Sequence, residues 1–289
     1  MKAIPESELI LNPDGSVYHL HLRPQDIATT IITVGDPDRV SAVSKHFDQI
    51  EFKTQKREFV THTGYIGNKR LSVISTGIGT DNIDIVFTEL DALVNVDLET
   101  RIPKAQHTTL NLIRVGTSGG LQANVPLDGL LASSFGMGFD NLLQYYMYTP
   151  SAAEAELLPH LPKLSNGVQP YLAQASEKLL RLVGSDMHQG ITATCSGFYG
   201  PQGRGVRLKA AMPNFLDILQ QWQCGNHQIT NFEMETSGIY GMARLLGHEA
   251  LSTNAIVAQR SSQKFSTNPY AAVDKLIKTV LERIVSFDI

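Results

Sequence analysis

Short runs of β-branched and aliphatic residues alternate along this chain with segments of helical period, and that alternation leaves few architectures open. It predicts an α/β fold, in which helices cover a mixed or parallel sheet. Strands are expected at Ile31 to Val34, Leu71 to Ser75, Leu112 to Val115, Gly129 to Ser133, Ile191 to Thr194 and Leu251 to Val257. Several are apolar on both faces, as strands buried under helices are. Between them, Ile83, Val86, Phe87, Leu90 and Val94 recur at helical spacing with acids on the other faces. Ile239, Met242, Ala243 and Leu246 do the same, with Asn231 as a candidate N-cap and Gly247 as a stop. A last helix is expected over Ala271 to Ile284. No repeat and no Pro/Gly/Ser linker divides residues 1–289, so they read as one domain, with the polar stretch Asp97 to Thr109 as a surface loop or insertion.

Composition removes several functions. The net charge of −4 lacks the basic excess that carries non-specific affinity for nucleic acid, so no polynucleotide partner is expected. Cys195 and Cys224 are the two cysteines, without CxxC or zinc-type spacing, so neither a disulfide framework nor a metal centre is indicated. Met1 to Arg23 holds no signal-type apolar run, and no segment approaches the roughly 18 apolar residues of a membrane span. A cytoplasmic location, away from membranes, is the expectation.

Four segments could carry chemistry. Gly35-Asp36-Pro37-Asp38-Arg39 follows an apolar strand, where ligands of open α/β sheets collect. Gly35 would let backbone N–H groups approach an anion, and Arg39 could offer a planar fork to two oxygens. A type I turn with a solvated arginine explains the same residues. Arg114-Val115-Gly116-Thr117-Ser118-Gly119-Gly120 repeats the plan, with an arginine inside an apolar strand and hydroxyls in a loop behind it. Arg114 there needs a partner, either an anion or an acid of the chain. Neither segment continues into GKS or GKT, which speaks against nucleoside triphosphate hydrolysis.

Asn231-Phe232-Glu233-Met234-Glu235 puts two carboxylates at a helix start, where they meet the macrodipole without any ligand or, as acceptors, hold sugar hydroxyls. Phe198-Tyr199-Gly200-Pro201-Gln202-Gly203-Arg204 is too rich in Gly and Pro to extend a strand. It is a surface turn, or a base loop in which Phe198 gives a flat face and Gln202 and Arg204 supply the polar groups. His19 by itself says little, and His62 reads as a strand residue.

In order, the segments GDPDR, REF, STGIG, RVGTSGG, FYGPQGR and FEMET resemble the nucleoside phosphorylase I family, and QGR resembles its uridine phosphorylase branch. The resemblance runs from about His19 to Arg260. It implies a mixed, partly barrel-like central sheet and phosphorolysis of a pyrimidine nucleoside, uridine and phosphate giving uracil and ribose 1-phosphate, with a purine nucleoside phosphorylase or nucleosidase of the same fold, or a non-catalytic nucleoside-binding or storage protein, as the alternatives. Phosphate would meet Gly35, Arg39, Arg114 and Thr117, with Arg57 of Arg57-Glu58-Phe59 and His19 donated across the interface of a homo-oligomer. The sugar would meet His19, Glu233, Met234 and Glu235. The base would meet Phe198, Gln202 and Arg204, with Ile256 and Val257 packed near it, and Arg114, Arg204 and Glu235 would carry the catalysis. No metal or organic cofactor is implied. Purine-specific members have an aspartate on the late strand, where this chain reads Ala255-Ile256-Val257-Ala258-Gln259-Arg260. Thr80-Asp81-Asn82 departs from the Gly-Pro-Ser version, which withdraws support for the monovalent cation some relatives hold beside the residue matching Glu58.

Overall fold

The computed structural model describes residues 2–287 and 289, so Met1, at the head of the amino-terminal stretch, lies outside the described residues. The first half of the chain forms β1 (Thr30–Val34), α1 (Pro37–Ser44), β2 (Gln49–Lys56), β3 (Phe59–Ile66), β4 (Lys69–Ser75) and α2 (Thr80–Asn95). A small ribbon, β5 (Val96–Asp97) with β6 (Ile102–Pro103), precedes β7 (Asn111–Gly120), β8 (Leu130–Gly138) and α3 (Ala152–Leu157). Then come β9 (Tyr171–Gln174), α4 (Glu177–Val183), β10 (His188–Thr194), α5 (Phe215–Gln221), β11 (Gln223–Cys224) and β12 (His227–Glu233). The chain ends with α6 (Thr236–Leu245), β13 (Glu249–Gln259), β14 (Lys264–Phe265) and α7 (Pro269–Ser286). Each of the six expected strands is present.

The sheet closes on itself. Strands β7, β13, β8, β10 and β12 pair in that order, and β12 returns to β7 through Asn231 opposite Gly120 and Phe232 opposite Gly119. A five-strand mixed barrel results, from which β1, β4, β3 and β2 run out as one wing. Within the wing, β1 lies parallel to both β4 and β7, and each of its five residues is buried. That explains its unbroken Thr-Ile-Ile-Thr-Val run. At the wing's edge β2 alternates exposed and half-buried residues, as an edge strand does. The larger apolar cluster joins β1, β4 and β7 to α2, α6 and α7, and a second fills the space between β8, β10, β12 and α5.

Three local expectations change. Thr117 to Gly120, expected as a loop after the strand, remains inside β7, because β13 and β12 both hydrogen-bond to this stretch to close the barrel. Asn231 is not a helix cap. It sits within β12, where its amide reaches Ser118 Oγ at 2.9 Å, and α6 starts only at Thr236. The Gly-Asp-Pro-Asp-Arg turn opens α1 directly: the Asp36 side chain accepts from Asp38 N, Pro37 occupies the first turn, and Arg39 is the third helical residue. The Asp97 to Thr109 stretch carries the β6 half of the small ribbon.

Candidate active site

Strands β1, β4, β7, β12 and β13 end at one cleft of about 1140 Å³. Its walls include Gly35 and Arg39 after β1, Arg114 and Thr117 on β7, Glu233 to Glu235 at the end of β12, and Val257 to Gln259 on β13 with Arg260 just past it. The loop residues Phe198, Gln202 and Arg204 close the far end. Eleven of the fourteen residues singled out from the sequence therefore share one cavity. Ile256 does not: it is fully buried and packs with Val125 and Leu131 behind the wall. His19 and Arg57 lie outside the cleft as well.

Arg114 is the centre of the buried end. Its Nη2 donates to Glu235 Oε2 at 2.6 Å and lies 3.2 Å from Glu233 Oε2, while Nη1 donates to Asn254 Oδ1 at 2.8 Å. The guanidinium folds back over Gly116, where a Cβ would stand 1.8 Å from Nη1. Glycine is required there by contact. Burial works to lower the Arg114 pKa, but Glu233 and Glu235 outweigh it and hold the group above its usual value. The intramolecular partner and the cleft-facing position thus belong to one residue.

The two carboxylates differ. Glu233 accepts from Thr194 Oγ1 at 2.9 Å, from Glu235 N at 2.9 Å and from Thr236 N at 3.0 and 3.1 Å, besides facing Arg114. Its lone pairs are consumed in bracing the turn into α6. Glu235 accepts one bond on each oxygen, from Gly79 N at 2.8 Å and from Arg114, and keeps acceptor capacity toward the cleft. Gly79, with φ of 98°, aims its N–H at Glu235 from a backbone conformation that L side chains rarely adopt. Burial pushes the Glu235 pKa above the usual carboxylate range, with Arg114 opposing it.

Arg39 is bound far more loosely. It gives a long hydrogen bond to Val115 O at 3.4 Å and has no ion-pair partner among the described residues. Burial, and then the charge of Arg114, lower its pKa. Two guanidiniums with mutual repulsion therefore line one end of the cleft, and an anion there would relieve both.

At the other end the loop carries a short 3-10 turn, Gly200–Gln202. Arg204 stacks 3.8 Å from the centre of the half-exposed Phe198 ring and donates to Phe198 O at 2.6 Å and to Gln202 Oε1. Gln202 Nε2 reaches Glu233 O at 3.4 Å, which ties the loop to β12. Sequence reading missed the other half of this wall. Phe232 lies under both Arg204 and Arg260, at 5.3 and 5.9 Å, and β14 brings Gln263 to Phe265 over the rim. Arg260 had a signal, an arginine at the end of an apolar strand; the β14 hairpin had none. Glu58 and Asn82, bonded to each other at 3.2 Å, also line the cleft.

His19 and Arg57 share a separate patch. His19 Nδ1 bonds Glu89 Oε1 at 2.6 Å, which leaves Nε2 on the outer edge of the ring, and the Tyr18 ring lies 4.8 Å away. Arg57, exposed at the β2–β3 turn with φ of 56°, reaches 6.0 Å from the same Tyr18 ring. Asp91, His107 and His248 also gather, away from the cleft, within 4.8 Å of one another. There the Leu110 N–H points at His248 Nδ1, so Nε2 carries the proton and is a poor metal ligand.

A family model described as the phosphorylase superfamily matches residues 29–286. The chain belongs to that superfamily. A uridine phosphorylase of Thermococcus kodakarensis is 30% identical over 256 residues, covering 87% of this chain and 80% of the relative. One from Haemophilus influenzae is 27% identical over 94% of this chain and 95% of its own length. Among solved structures, a Trypanosoma brucei nucleoside phosphorylase described as showing uridine phosphorylase activity superposes with a TM-score of 0.87, at 29% identity, covering 96% of this chain and 99% of that one. A Phytophthora capsici uridine phosphorylase, at 22% identity and a TM-score of 0.75, shows the same fold. The family expected from the six motifs is the family found.

Proposed function

We propose that this protein catalyses the phosphorolysis of uridine, releasing uracil and ribose 1-phosphate. The observation that carries this is the cleft's polarity: two arginines with spare donors at one end, an acceptor-bearing Glu235 in the middle, and a stacked Phe198–Arg204 pair with Gln202 at the other. Phosphate is held by Arg39, Arg114, Thr117 and the Gly35 backbone. Glu235 takes the ribose hydroxyls and Met234 packs on the sugar, with Glu233 bracing the turn that presents them. Phosphate attacks the anomeric carbon as the bond to uracil breaks through an oxocarbenium-like transition state. Arg204 and Gln202 stabilise the negative charge on the departing base. Val257 to Arg260, on the cleft wall, contain no carboxylate of the kind a purine ring nitrogen would use.

Charge counting supports a homo-oligomer. Arg114 is paired with Glu233 and Glu235 within one chain, which leaves Arg39 alone at this end to balance a phosphate dianion. Exposed Arg57 and half-buried His19, both beside Tyr18 and outside the chain's own cleft, are the residues a second subunit would insert. No metal or organic cofactor takes part, and the enzyme works in the cytoplasm; among the described residues no helix is long and apolar enough to cross a membrane.

The test is release of uracil from uridine with and without phosphate. Phosphate-dependent release is expected, and an undiminished rate in phosphate-free buffer would overturn the reading in favour of hydrolysis.

A further inference from the structure

Asn254 lies in the middle of β13, fully buried, and opposite Gly116 in the parallel register with β7. Its amide has one orientation consistent with its neighbours. Arginine only donates, so Oδ1 must face Arg114 Nη1, at 2.8 Å, and Nδ2 must face Ser252 Oγ, at 3.4 Å. Ser252 is itself held by Thr236 Oγ1 at 2.8 Å, at the start of α6. One terminal nitrogen of Arg114 is thereby tied to β13 and the other to Glu235, across a backbone that has no Cβ at Gly116. The guanidinium plane cannot turn.

We propose that Asn254 is a positioning residue for the anion site: it aims the cleft-lining edge of Arg114 at phosphate without cancelling its charge. This rests on the phosphorolysis reading above. The neutrality of the amide is the point. Arg114 already faces two carboxylates, and a third acceptor that was also an anion would add further negative charge beside the anion site. An amide oxygen gives the geometry of a carboxylate and none of its charge.

The experiment compares the parent with Asn254→Ala, Asn254→Asp and Ser252→Ala, by KM for phosphate, KM for uridine, kcat, and calorimetric binding of inorganic phosphate to the folded protein. Asn254→Ala should raise KM for phosphate about tenfold, the scale of one hydrogen bond to a charged group, while KM for uridine stays within about twofold. Asn254→Asp keeps the acceptor and adds only charge, so it should weaken phosphate binding further. Ser252→Ala, one bond removed from Arg114, should leave KM for phosphate within about twofold.

Unchanged phosphate binding in both Asn254 variants overturns the proposal. So does an Asn254→Asp variant that restores parent behaviour after Asn254→Ala has raised both KM values equally, because the residue would then serve the fold alone. Should Asn254→Ala fail to fold, the nearly isosteric Asn254→Asp decides. If the parent itself releases uracil without phosphate, the phosphorolysis reading fails separately, and unchanged calorimetric binding of phosphate in Asn254→Asp still overturns the positioning role of Asn254.

Discussion

The two ends of the cleft are built on different principles. At the end proposed for phosphate, Arg114, Glu233, Glu235 and Asn254 are buried side chains on strands or at their ends, each tied to another element by hydrogen bonds. At the end proposed for the base, Phe198 and Arg204 belong to an irregular loop, and Phe198 keeps half its surface in solvent. Charges that must be desolvated to act strongly need a rigid shell of partners. A flat base that must enter and leave needs a wall that can move. Rigid charge handling and a looser base contact follow from the same barrel, because β7 and β12 close it while the segment after β10 leaves it.

That contrast predicts where mutations separate stability from activity. The largest effect is expected for Arg114→Ala, which strands two buried carboxylates. Denaturant unfolding should show a loss of about 3 to 5 kcal/mol, and phosphate-dependent turnover should vanish. A loss under about 1 kcal/mol would mean that the cluster is not the brace described. Gly116→Ala should come next: the new methyl group displaces Arg114 and costs about 1 to 3 kcal/mol of stability, with a matching rise in KM for phosphate. Unaltered phosphate kinetics in that variant would show that Arg114 does not need to lie on the strand.

At the base end, Arg204→Ala should barely change the unfolding midpoint, by less than about 1 kcal/mol, yet lower kcat/KM for uridine by about 3 kcal/mol in transition-state terms. A large stability loss there would erase the distinction between the two ends. The smallest effect concerns pH. Glu235 is held above the usual carboxylate range, so kcat/KM should fall on acidification from a higher pH than an ordinary glutamate would give. The folded chain binds this proton more tightly than the unfolded one, so the group's contribution to stability is greatest at low pH and fades as pH rises through the raised value. Glu235→Gln should remove that acid limb, and Arg204→Ala should leave it in place.

Much of this was legible in the residues. The unbroken β-branched run of β1, the helical spacing in α2 and the two arginines, one after an apolar strand and one inside another, all follow from local periodicity or from the cost of burying a charge. The motif set implied the family and the roles proposed for Glu235, Arg204 and Gln202. What escaped is non-local. Nothing in Arg-Val-Gly-Thr-Ser-Gly-Gly says that its last residues stay in a strand, because that depends on β12 arriving to pair with Gly119 and Gly120. Nothing in Leu-Ser-Thr-Asn-Ala singles out Asn254, whose meaning comes from Arg114, 140 residues away.

Period, residue chemistry and motif order were enough to establish which segments are strands and helices, which charged residues could not be casual, and which family the chain resembles. The closure of the barrel, the saturation of Glu233 against the open capacity of Glu235 and the withdrawal of Ile256 into the core emerged only in the packed molecule. Hydrogen-bond capacity is spent between elements far apart in the chain, and the tertiary fold alone shows where it has been spent.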